Sequence, residues 1–168
     1  MIKKVTIKWL EQVHACSDSI DWFKEQKTNK PIDLLNLLIK KKRYGWCNWG
    51  ISRLLNRKNK IRYALYAAKQ ILPIFENKYP DDKRPRQAIE AAEEYLKNPS
   101  EENKEKCNAA ADAARAAAAY AAADAAYAAY AADAEKMYLK IIKYGIKLLK
   151  NEQVSFPVSK EERNGLIL

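Results

Sequence analysis

At 168 residues the chain is long enough for one domain with a buried core. Charged residues make up 31% and hydrophobic ones 48%, and four glycines among 168 residues argue against a sheet protein turned by glycine. Lysine and arginine number 31 against 21 acidic residues, a net charge of +10, which disfavours a basic partner.

The first segment, MIKKVTIKWLEQ, has no apolar stretch followed by a small-residue cleavage site, so a cytoplasmic protein is expected. Thr6 to Val13 reads as a short helix, and Ser17 is placed to cap a second, SDSIDWFKEQ, which carries Ile20, Trp22 and Phe23. Pro31 opens a third, PIDLLNLLIKK. Tyr44 to Leu55 forms a fourth, with Trp46 and Trp49 read as core residues. KNKIRYALYAAKQILPIFENKY is the fifth, with a bend or break expected at Pro73, which removes one helical hydrogen bond. Asp81 or Asp82 starts the sixth, DDKRPRQAIEAAEEYLKN, and Asn98 and Pro99 stop it. Ser100 caps a seventh, and nothing interrupts its pattern before Gly145 or Asn151.

About 50 helical residues would span roughly 75 Å, whereas a domain of this length is about 40 Å across. A bend or break is therefore expected between Asn98 and Asn108 or near Glu135. The fold class that results is all-α, a bundle of about six to eight helices around a central alanine-rich helix, long or broken. The expected boundaries are one domain over 1–151 and a C-terminal tail over 152–168.

Within the seventh helix, residues 109–134 contain 19 alanines, with Asp112, Arg115, Asp124 and Asp133 among them. Those charges exclude a membrane span, at about 2.5–3.5 kcal/mol each at the bilayer centre. Alanine's helix propensity and the lack of glycine or proline exclude disorder. A thin helix for close packing remains. Tyr120, Tyr127 and Tyr138 share one side, joined further along by Ile141, Ile142, Ile146, Leu148 and Leu149, while Lys136, Lys140, Lys143 and Lys147 lie opposite. The tyrosine side is expected to face the core. Asp124, between Tyr120 and Tyr127, needs a partner if enclosed, and Arg62, Arg84 and Arg86 are the candidates for a structural polar network with it. The same helix offers a surface for a homodimer.

No acidic residue occurs between Asp33 and Glu76, and the interval holds Lys40, Lys41, Lys42, Arg43, Arg53, Arg57, Lys58 and Lys60. Residues 1–100 carry the whole net charge; residues 101–168 balance to zero. These eight cations are the candidate partner-binding residues, facing an acidic protein or a nucleic acid. No catalytic constellation is evident: the single histidine, His14, lies two residues from Cys16, a spacing that puts the pair on different sides of a helix. Cys16, Cys47 and Cys107 are scattered and read as free thiols, with no metal site and no cofactor.

The run "WCNWGISRLL", then "KIRYALYAAKQILPIFE", then "DDKRPRQAIEAAEEYL" before a long Ala/Tyr helix resembles bacterial and prophage immunity proteins of the Imm5-like type, over Asp18 to Leu149. Arg84, Pro85, Arg86, Ala88, Ile89 and Glu90 are its most distinctive part, and the N-terminal ACSDSIDWFKEQ looks like versions found in phage genomes. The resemblance implies an all-helical, non-enzymatic binding protein and leaves its target open; the function expected is docking on and neutralising a toxin or a defence protein. Immunity proteins against nucleases are commonly acidic, so the basic charge disfavours a nuclease-active-site plug and leaves room for phage anti-defence, including an anti-CRISPR, on an acidic protein surface or a nucleic-acid-loaded effector. A basic nucleic-acid-binding accessory protein is the alternative.

Overall fold

The computed structural model describes residues 4–109 and 131–155. Among them the chain is helical, with no strand: α1 Ile7–Gln12, α2 Ser17–Lys24, α3 Pro31–Lys40, α4 Tyr44–Leu54, α5 Arg57–Lys78, α6 Arg84–Lys97, a stretch over 101–109 (α7), and α8 Ala131–Ser155. No helix among the described residues is long and apolar enough to cross a membrane. The chain divides into two compact units: one combines the residues up to Asn56 with those from Ile142 onward, and the other spans Arg57–Ile141.

Helix starts follow from local hydrogen bonding. The Thr6 hydroxyl accepts from the Trp9 N–H (3.1 Å), and the Ser100 hydroxyl from the Asn103 N–H (3.1 Å). Pro31 and Pro85 fill first-turn positions, where a missing N–H costs nothing. Ser17 does not cap α2: Cys16 holds the cap position and Ser17 is already helical. α6 begins at Arg84, later than either aspartate, although Asp82 still accepts from the Arg84 N–H (3.0 Å).

α1 and α3 end in the same way. His14 (φ 59°) and Lys42 (φ 55°) take the left-handed conformation that usually selects glycine. The His14 and Ala15 N–H groups return to the Glu11 and Leu10 carbonyls (3.0 and 2.9 Å), as those of Lys42 and Arg43 return to Ile39 and Leu38 (both 2.9 Å). α1 therefore stops at Gln12, before His14.

The first unit is organised by the helix pairs α1–α2 and α3–α4. Its core holds Leu35, Cys47, Ile51 and Leu55, together with Ile142 and Leu149 of α8, all at most 3% exposed. On α8, Ile141, Ile142, Ile146, Leu148 and Leu149 are buried and Lys136, Lys140, Lys143 and Lys147 are exposed, the expected register. Tyr138 departs from it and is 46% exposed, because burial on that side begins only at Ile141. α8 also runs to Ser155, past the expected start of a tail at 152. Glu152, 5% exposed, accepts the Asn56 backbone N–H (3.2 Å), so that residue belongs to the folded unit.

In the second unit α5 pairs with α6. Lys69 bonds to Glu93, and Arg86 to Glu76 through two bonds of 2.7 and 2.6 Å. Seven residues forward on α5 correspond to seven back on α6, which makes the pair antiparallel. α5 is continuous through Pro73, which is exposed, so the expected break is absent. The chain leaves helix at Asn98–Ser100. There the Asn98 carbonyl accepts from the Ser100 N–H and the Asn103 amide, both at 2.9 Å. α7 is unbroken over 101–109, and α8 passes Glu135, Gly145 and Asn151 without interruption. Most of the alanine run, with Tyr120, Asp124 and Tyr127, and the segment after Ser155 lie outside the described residues.

Candidate docking surface

Lys40, Lys41 and Lys42 close the C-terminal end of α3, Arg43 follows as the N-cap of α4, and Arg53 is in the last turn of α4. Lys40 to Lys42 and Arg53 meet the negative end of a helix dipole, worth about 0.3–1 kcal/mol each. Lys24, Lys78 and Lys97 hold equivalent last-turn positions on α2, α5 and α6. Helix electrostatics thus accounts for this part of the belt without a partner.

Arg57, Lys58 and Lys60 are different. They are exposed at the start of α5, whose first turn has no acidic residue, so they face the positive end of the dipole. No ion pair engages any of the three among the described residues. They lie in the second unit, whereas Lys40 to Arg53 lie in the first.

Two arginines of the first unit stack on indoles: Arg43 over Trp46 at 4.2 Å and Arg53 over Trp49 at 5.6 Å. Trp46 also meets Trp22 edge-on, centroids 6.3 Å apart. Trp9, Trp22, Trp46 and Trp49, all half-buried, line one apolar cleft of about 60 Å³ with Leu34 and Leu38. The core reading of Trp46 and Trp49 is therefore half of the account, since both also border a void. The stacking follows helical spacing, Arg43 lying three residues before Trp46 and Arg53 four after Trp49; the cleft does not, because the four tryptophans come from three different helices.

The expected polar network centres on Asp124, which lies outside the described residues. Arg84 bonds to Asp82 (2.9 and 2.7 Å), Arg86 to Glu76, and Arg62 to Asn59 (3.1 Å). The arginine beside each carboxylate holds Asp82 and Glu76 below their ordinary pKa values, chiefly by hydrogen bonding. Arg84, Pro85, Arg86 and the buried Ile89 thus start α6 and tie it to α5, a structural use of that motif.

Nothing in the described residues has the geometry of a metal site. The three cysteines are free thiols. Cys47 is fully buried, its thiol donates to the Leu35 carbonyl (3.7 Å), and burial pushes its pKa up to about 12. His14 and Cys16 do not share a helix; a left-handed turn separates them.

No curated protein and no solved structure matches the chain. The family model described as Imm-5 like putative immunity protein matches residues 52–167, so it starts well after Asp18 and leaves the four tryptophans outside it. With more than half of its length matched, the chain belongs to the family of Imm-5 like putative immunity proteins.

Proposed function

We propose that the protein is a non-enzymatic inhibitor that docks on an acidic surface of a toxin or of a defence-system protein. Membership of an immunity-protein family supports a protein target. The observation that carries the charge preference is the placement of Arg57, Lys58 and Lys60. They oppose the dipole of their own helix and have no carboxylate partner among the described residues, so helix stability does not explain them. In a phage setting the same docking would serve anti-defence, an anti-CRISPR acting on a loaded effector being one form.

Affinity capture from host cells, with mass spectrometry and a nucleic-acid assay of the eluate, tests this reading. The expected result is a stoichiometric protein complex whose association rate, more than its lifetime, falls with salt. Three exposed cations at a helix start also suit phosphates, which keeps a nucleic-acid-binding accessory role as the second reading. Recovery of heterogeneous nucleic acid alone, released by salt, would overturn the first reading in favour of the second.

A further inference from the structure

All four tryptophans of the chain line a single cleft, and a guanidinium lies over two of them. The cleft measures about 60 Å³. An apolar cavity of roughly 150 Å³ admits benzene, so this one is too small for an aromatic ring and suited to the end of an aliphatic side chain. Water is a poor occupant, since a buried water needs two to four polar partners. Apart from indole N–H groups, the only polar side chain in the lining among the described residues is Ser19, whose hydroxyl is used on the Cys16 carbonyl (2.8 Å).

Charge selects the surroundings of that side chain. Arg43 and Arg53 are exposed, and among the described residues neither has a carboxylate partner. No acidic side chain occurs anywhere in the chain from 34 to 75. The lining residues run from Val5 to Leu54, almost wholly ahead of the family match at 52–167. The cleft thus lies ahead of the matched region.

We propose that the tryptophan cleft receives an aliphatic side chain from an acidic segment of the partner protein, with the flanking carboxylates on Arg43 and Arg53. This rests on the reading that the protein docks on an acidic protein surface. Binding by a short segment is expected to be weak, in the millimolar range, because little area is buried and the peptide must be ordered.

The cleft carries its own reporter, since every tryptophan of the chain borders it. The full chain is titrated with a blocked pentapeptide, leucine between two pairs of glutamates, and indole emission is followed. Controls replace the glutamates by lysines or the leucine by serine. Two variants accompany the titration. Gly50→Ala places a methyl group in the lining, 3.6 Å from a Leu35 methyl, an ordinary contact that leaves the fold intact. Arg43→Glu combined with Arg53→Glu reverses the rim.

The glutamate–leucine peptide should shift the emission while both controls leave it unchanged. Gly50→Ala should weaken binding at least about fourfold, the loss of one methylene's burial. The double reversal should weaken it about tenfold. No response, an equal response to either control peptide, or unchanged affinity in Gly50→Ala would overturn the proposal. The docking reading fails separately: a captured protein partner lost on Arg57→Glu with Lys58→Glu but kept at full affinity by Gly50→Ala leaves docking in place and removes the cleft from it.

Discussion

Cys47 is unreactive for two reasons that act together: it has no exposed surface, and burial holds its thiol protonated up to about pH 12. Cys16 is exposed. A thiol reagent at pH 8 should therefore label Cys16 quickly and Cys47 only after unfolding, as peptide mapping by mass spectrometry would show; prompt labelling of Cys47 in the folded chain would contradict its burial. The raised value also has a sign. The neutral thiol is the form the fold prefers, so its contribution is complete below the ordinary thiol pKa of about 8.5 and is lost as pH rises toward about 12. His14 makes a second residue-scale prediction. It holds a left-handed position at the end of α1, a conformation that costs a side-chain-bearing residue about 1 kcal/mol. His14→Gly should raise stability by roughly 0.5–1 kcal/mol in urea unfolding, and a loss would mean that the imidazole makes a compensating contact.

α5 and α6 are held in register by paired charges. Arg86 to Glu76 is bidentate, and Glu93 meets Lys69 two turns further along. Because Glu76 titrates below its ordinary value, this pairing is fully present above about pH 4.3 and is lost as pH falls through the depressed value. Acid should weaken this pairing, with amide protection in α5 and α6, measured relative to intrinsic exchange, falling as pH drops through the carboxylate range in wild type and less so in Glu76→Gln; equal loss in both would assign the acid sensitivity elsewhere. At neutral pH the pair is exposed and screened, so Arg86→Ala should lower stability only slightly in urea unfolding. The distinctive Arg-Pro-Arg motif thus starts α6 and pairs it with α5.

Over the whole molecule, the basic excess divides into two kinds. Lys40 to Lys42 and Arg53 sit at helix C-termini, where they favour the fold, while Arg57 and Lys58 open a helix and oppose its dipole. The two kinds respond oppositely to charge reversal. Arg57→Glu with Lys58→Glu should hold or raise thermal stability, by about 0.3–1 kcal/mol for each change, while weakening association with the protein partner. A variant that loses stability and retains full association would show that these cations serve the fold.

The all-α class, the helix starts at Thr6, Pro31 and Ser100, the buried stripe of α8 and the free thiols were legible in the residues themselves. Each depends on local chemistry: caps, a 3.6-residue period and residue composition. Other features depended on which helices meet, something no local pattern encodes. Pro73 reads as a break, yet α5 continues through it, fastened to α6 by ion pairs on either side of that proline. His14 and Lys42 end helices in a conformation normally read from glycine, because the returning hydrogen bonds and the burial of Leu10 and Leu38 hold the turn. Trp46 and Trp49 read as core residues, and they form one cleft with Trp9 and Trp22 only when α1, α2 and α4 converge. The sequence by itself determined the helices and the sign of the charge, since both follow from short-range chemistry. Only tertiary packing decided where the void and its arginine rim lie, because a cavity is a property of surfaces that meet from distant parts of the chain.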